Sequence, residues 1–187
     1  MPDMIKSGVG NGYLARVGSS NKLDVSARVN DRIYYASKND GKAFIVQLEM
    51  TQASGGSTEG AGYIQYTGTD RLNIKQIAFT SEDTGMTKFG VWKNPTVSGG
   101  ATATPVNLNF GSNLPSDTTC KKEGGVTVSI SDGSSLYTLR LNGIDTKIVP
   151  FYDAIILGPN DIIGIKGNAS TTSSLIRVNI MFAESIE

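Results

Sequence analysis

Apolar residues alternate with polar ones in short runs along most of the chain, and the clearest stretch lies near its end. Ala154-Ile155-Ile156-Leu157 leads into Gly158-Pro159-Asn160-Asp161, then Ile162-Ile163-Gly164-Ile165, then a run from Ser174 to Phe182. β-Branched residues crowd the apolar runs while Gly, Pro, Asn and Asp supply the reversal, a pattern that predicts strand, turn, strand, loop, strand. From Ala43 onward similar runs predict strands over 43–51, 62–67, 72–80, 87–93, 105–109, 125–131, 135–141, 146–149, 153–157, 161–166 and 174–183. Leu72, Ile74, Ile77 and Phe79 break alternation between 74 and 77, as a bulge or a bend between sheets would. No 3.6-residue period persists, and no internal repeat on the order of 20–50 residues is present.

These elements predict an all-β fold, a two-sheet antiparallel sandwich of jelly-roll-like form over residues 43–187. Its expected core includes Ile156, Ile163, Ile165, Ile176, Val178 and Ile180. Residues 1–42 read as an extended N-terminal arm. Its first dozen residues hold Gly8, Gly10 and Gly12 among small neighbours, too little apolar surface to fix a conformation unaided. Tyr13–Val17 and Leu23–Ala27 alternate around Gly18–Lys22 and predict a small hairpin, which is marginal in water unless it packs on something else. Ile33, Tyr34 and Tyr35 follow in a charged linker that ends in the turn signal Asn39-Asp40-Gly41.

Composition narrows the function classes. The 187 residues suffice for one buried core. Lys plus Arg and Asp plus Glu stand at 17 each. No whole-chain field therefore draws the protein to polyanions, nucleic acid or an anionic membrane. Histidine is absent and Cys120 is the single cysteine, which removes the commonest general base, the commonest metal ligands and any intrachain disulfide. The N-terminus has no basic segment followed by an apolar run, and no stretch approaches a bilayer span, so the expectation is a protein made in the cytoplasm without a signal peptide. Asn168-Ala169-Ser170 matches a glycosylation sequon and reads as a polar loop.

Candidate chemistry is sparse. Asp83-Thr84-Gly85 has the short signature of an aspartic protease, but that mechanism needs two such carboxylates, and a turn reading accounts for the tripeptide. Gly8, Gly10 and Gly12 lack the preceding strand and following helix of a dinucleotide fingerprint. Asp145, Asp153 and Asp161 are too widely spaced for a local calcium loop. Lys121 and Lys122 beside Cys120 would lower its thiol pKa, yet no histidine completes a catalytic pair. Tyr63, Tyr66 and Trp92 are the aromatics placed by alternation on a sheet face, as core, as interface, or as a platform for a sugar ring. The expectation is no enzyme activity, no catalytic residue, no cofactor and no metal.

The layout itself carries the strongest lead: a Gly-rich start, the Asn21-Lys22-Leu23-Asp24-Val25-Ser26-Ala27 segment, the Gly41-Lys42-Ala43-Phe44 opening of the sandwich, and the Ile155–Ile165 close. It resembles small structural proteins of tailed bacteriophage virions, in which an extended arm precedes a jelly-roll-like domain. The resemblance implies a decoration, cement or fibre-base subunit located in the virion, commonly a homotrimer, fixed to a major capsid protein or another lattice protein. An arm with alternating apolar residues and no core orders on a neighbour by strand addition, with Tyr13, Leu14, Val17, Leu23, Val25, Ile33, Tyr34 and Tyr35 as the contact residues. The competing reading is a carbohydrate-binding β-sandwich module that meets host glycan through Tyr63, Tyr66 and Trp92.

Overall fold

The computed structural model describes residues 4–6, 14–17, 23–24, 37 and 41–185. The chain divides into two compact units, Met1–Asp31 and Arg32–Glu187. In the first, β1 (Met4–Lys6), β2 (Leu14–Val17) and β3 (Leu23–Asp24) form an antiparallel sheet in the order β1-β2-β3. The expected hairpin is the β2–β3 pair, with Val17 opposite Leu23 and Arg16 opposite Asp24. Residues 4–6, expected not to hold a conformation unaided, pair with β2: Ile5 faces Ala15, so a neighbouring strand supplies the backbone partners that this short segment lacks.

The second unit is built from two four-strand runs that zip together. The first run is β4 (Ala43–Thr51), β5 (Glu59–Tyr66), β6 (Arg71–Ser81) and β7 (Met86–Lys93). The second is β13 (Ser134–Asn142), β14 (Asp145–Leu157), β15 (Ile162–Ala169) and β16 (Leu175–Ser185). Pairing is nested and antiparallel: β4 with β16, β5 with β15, β6 with β14, β7 with β13. Successive strands of each run fall in opposite sheets, the signature of a jelly roll. Between the runs lie β8 (Thr96–Gly99), β9 (Ala101–Thr102), β10 (Val106–Asn107), β11 (Thr118–Lys122) and β12 (Val128–Ser131). One sheet, here the AB sheet, runs β10-β4-β16-β6-β14; the other, the CD sheet, runs β13-β7-β15-β5-β11-β9.

Strict alternation fills the space between the sheets. Phe44, Val46, Leu48 and Met50 of β4 and Ile176, Val178, Ile180 and Phe182 of β16 point inward against Ile64, Phe89, Val91, Ile163 and Ile165. Five of the six expected core residues are buried, and Ile156 is not, with 47% of its surface exposed. The Ala154–Leu157 run is apolar on both faces, so hydrophobicity alone cannot assign direction. Ile155 and Leu157 pack toward the core while Ile156 faces outward opposite Asn73. The irregularity expected between 74 and 77 is a bulge at Lys75: Gln76 pairs Met181 and Ile74 pairs Phe182, leaving Lys75 as the extra residue. On the other side of β6 the same break is larger, because Phe151 to Ala154 intervene between Pro150 and Ile155. Tyr152 and Asp153 adopt left-handed backbone there, so the two strands predicted over 146–157 are one strand with a kink.

One end of the sandwich is closed by buried polar side chains. Gln52 is fully enclosed and bonds in four directions: its amide donates to Ser54 O, Ser57 O and Glu59 Oε1, and its carbonyl accepts from Ala169 N. Asp83 is equally buried and accepts from Ser170 N at 2.6 Å, Ser170 Oγ at 2.8 Å, Gly85 N at 3.0 Å and the Thr171 hydroxyl. Burial alone would raise the Asp83 pKa. The hydrogen bonds from Thr171, Gly85 and Ser170 outweigh burial and hold it well below the usual carboxylate range.

Two expected outcomes follow from this packing. Phe182, fully buried and stacked on Phe44 at 5.7 Å, should cost ~3–5 kcal/mol on replacement by Ala, measured by urea unfolding. Asp83→Asn, which keeps the shape and removes the charge, should cost roughly 1.5–3 kcal/mol. The sign of the pH effect is fixed: an unfolded Asp binds its proton near ~3.9, the folded one only at lower pH, so its stabilisation is full above that value and lost as pH falls below it. Urea midpoints of the wild type should therefore drop more steeply below about pH 4 than those of Asp83→Asn; parallel curves would remove Asp83 as the source.

Candidate functional site

The described candidate residues are placed as follows. Asp83 of the Asp-Thr-Gly tripeptide is the buried brace just described, facing backbone amides and hydroxyls rather than a second carboxylate. Gly8, Gly10 and Gly12 lie outside the described residues. Asp145 and Asp161 sit at opposite ends of β14: the first accepts from Thr146 N, the second from Gly158 N and Asn94 Nδ2. Asp153, at the kink between them, has a buried Oδ1 without a hydrogen-bond partner. Among the described residues no group of three His, Cys, Asp or Glu side chains is placed to hold a metal ion, and no helix is long and apolar enough to cross a membrane.

The neighbouring lysines do not activate Cys120. Its side chain points into the core, and burial, followed by the charge of Glu184, pushes the thiol up to about 12. Glu184 is a buried carboxylate with no local pattern around it that marks it out. It accepts from Ser116 Oγ at 2.5 Å, Thr118 Oγ1 at 2.8 Å and Asp117 N at 2.9 Å, pinning the loop before β11 to the end of β16.

The two outer sheet faces differ in kind. On the AB sheet, cross-strand partners form a row Val106–Ile45–Met181–Gln76–Pro150 and a second row Gln47–Asn179–Ala78–Ile148. Neither row contains a charged residue. Charges gather in the row beyond, where Arg177 pairs with Glu82 and Glu49, and Lys122 meets Glu49 at 2.5 Å. The Lys122 hydrogen bond lowers the Glu49 pKa. An open concavity of about 500 Å³ is lined by Ile45, Gln47, Thr104, Val106 and Asn179, with Lys122 at its charged side. The loop after β10 presents Phe110, 95% exposed, on backbone held by Asn107 and Asn109. Val106 and Ile148 are each 55% exposed.

On the CD sheet the expected aromatic cluster does not assemble. Tyr66 points into the core at 2% exposure, because residues 64 and 66 of β5 share the inward face. Tyr63 lies on the outer face but is 8% exposed. The β8–β12 ribbon accounts for this: it folds over neighbouring Gly164, where a Cβ would fall 2.8 Å from Pro95 Cγ and 3.2 Å from Ile130 Cγ2. Trp92 alone of the three is half-exposed, in one row with Tyr63 and Gly164. Its indole leans over Gly90, with Nε1 2.8 Å from where a Cβ would stand, and Lys166 Nζ sits 4.3 Å from the ring centroid. Of the expected arm contacts, Leu14 and Val17 lie in β2 and Leu23 in β3, whereas Tyr13, Val25, Ile33, Tyr34 and Tyr35 lie outside the described residues.

No family model matches the sequence, and no curated protein matches it. Among solved structures the chain is similar to the globular domain of zebrafish complement 1qA protein, at 15% identity over 78% of this chain and 99% of that one, with a TM-score of 0.33. It is also similar to the chain of infectious bursal virus-derived T=1 particles, at 12% identity and a TM-score of 0.19, covering 98% of this chain and 45% of that one. For the infectious bursal disease virus Gt strain the corresponding values are 12%, 0.19, 98% and 47%.

Proposed function

We propose that the chain is a non-enzymatic structural subunit that self-associates through the outer face of the AB sheet, as a homotrimer, and decorates a virion lattice through residues 1–42. The observation that carries this reading is the pair of uncharged rows across β4, β16, β6 and β14, with Val106 and Ile148 exposed at their ends and Phe110 exposed in the loop after β10. Interface centres are depleted of charge and rimmed by polar groups, and the Arg177–Glu49–Glu82 cluster supplies such a rim. A rigidly held, solvent-facing Phe is the kind of anchor that dominates interface energetics. The trimer number, the virion location and the capsid partner come from the resemblance drawn from the sequence layout. Repetition of a modest contact through a symmetric assembly then supplies attachment without a deep pocket.

Light scattering of the intact protein should give the mass of a trimer. Asn179→Arg puts a charge in the middle of the uncharged rows, on a side chain that faces away from the core, and should yield a folded monomer. A trimer that survives this change places self-association elsewhere. Removing residues 1–42 should abolish incorporation into particles while the trimer persists, scored by occupancy on purified particles. Wild-type occupancy of the truncated protein would move attachment onto the sandwich.

A further inference from the structure

The neutral sum of charges conceals a segregation. The three adjacent strands β13, β7 and β15 contain Arg140, Lys88, Lys93 and Lys166 and no Asp or Glu. Three of these cations converge on one outer patch. Lys88 is the direct cross-strand partner of Arg140, and on its other side it faces Asn168. Lys166 pairs with Gly90, two positions along β7 from Lys88, and its ammonium lies over the Trp92 ring. Like charges placed directly opposite on a sheet are unfavourable. No ion pair offsets this one, because no carboxylate of the described residues bridges Lys88 or Arg140, and both side chains are exposed.

We propose that Trp92 with Lys88, Arg140 and Lys166 forms a binding site for an acidic saccharide. The solvent-facing edge of the indole, beside the Lys166 ammonium that lies over its ring, offers apolar contact to the C–H groups of a pyranose ring. The cations around it match a carboxylate or sulfate on that ring, with the Arg140 guanidinium suited to bidentate contact. Thr138, the partner of Gly90, and Ser135, the partner of Trp92, are exposed hydroxyls beside the ring that can bond sugar hydroxyls. Single-stranded nucleic acid fits less well, since it is held by several aromatics stacking successive bases. Here Tyr63 is buried beside Gly164, where the β8–β12 ribbon approaches, and Trp92, itself half-buried, is the one aromatic of these rows that solvent reaches. The site lies on the opposite sheet from the proposed self-contact and is independent of it.

Trp92 is the only tryptophan in the chain, so its emission reports on this patch alone. Titration of the full-length protein with an alginate tetrasaccharide should change that emission saturably, and the response should weaken as salt is raised. The double variant Lys88→Ser/Arg140→Ser, altered only at exposed side chains, should bind about tenfold more weakly or worse, the loss expected when charge-assisted contacts are removed. Maltotetraose, neutral and of similar size, should leave the emission unchanged. The Asn179→Arg variant should bind as the wild type does, which separates this site from the self-association reading. The proposal is overturned by an unresponsive indole, by unchanged affinity in the double variant, by equal binding of maltotetraose, or by a thymidine tetranucleotide that binds as tightly as the alginate.

Discussion

The nested pairing of two four-strand runs is the constraint on which everything else in the sandwich depends. Each strand of the first run must find its mate across the whole second run, β4 with β16 at the outside and β7 with β13 at the inside. A slip of one residue in any pair would turn the inward set of that strand to solvent. Register is therefore enforced by burial itself: Phe44, Val46, Leu48 and Met50 can all be covered only when Phe182, Ile180, Val178 and Ile176 stand opposite them. The bulge at Lys75 belongs to the same requirement. It shifts the phase of β6 by one residue so that Leu72 and Ile74 on one side of it, and Ile77 and Phe79 on the other, all reach the core.

Pairing of this kind leaves the strand ends unsatisfied, and the two ends are closed by buried polar groups instead of apolar ones. Gln52 and Asp83 gather amides and hydroxyls from the loops after β4, β6 and β15, while Glu184 gathers those of the loop before β11. Each brace joins segments far apart in sequence, Asp83 to Ser170 and Glu184 to Ser116. Asp83, which accepts several hydrogen bonds, stays charged without an ion-pair partner, and its removal strands donors that have nowhere else to turn. This accounts for a chemistry-bearing residue type, Asp in Asp-Thr-Gly, serving as a structural tie.

How much of this was legible in the sequence follows from which signal each feature leaves. Alternation made the eight roll strands, the phase break in β6 and most of the core readable, because burial on one face imprints a period of two. Ile156 failed for the converse reason: in Ala154–Leu157 both faces are apolar, and only the pairing with β6 decides which side is in. The short strands β8, β9 and β11 left little trace, since their register comes from partners in sequence-distant strands. Alternation put Tyr63 and Tyr66 on a sheet face without telling the outer face from the core, and the burial of Tyr63 beside Gly164, where Pro95 and Ile130 approach, is a tertiary event with no local signature. Gln52 and Glu184 read as ordinary polar residues, because nothing in their neighbours announces the loops that enclose them.

Charge was the least legible property, because composition averages over faces. Equal numbers of acids and bases argue against a whole-chain field, and that argument is sound at distances beyond the Debye length of ~8 Å. At closer range the sum is irrelevant. A ligand the size of one sugar ring meets only the nearest rows, and every charged residue of β7, β13 and β15 is a cation. The opposite sheet differs: two of its cross-strand rows, over β4, β16, β6 and β14, carry no charged residue, and the Arg177–Glu49–Glu82 cluster borders them on one side. A sandwich whose two surfaces are so unlike can present one to copies of itself and the other to solvent, since desolvating Lys88 and Arg140 against each other in a protein interface would cost more than any gain in apolar burial there.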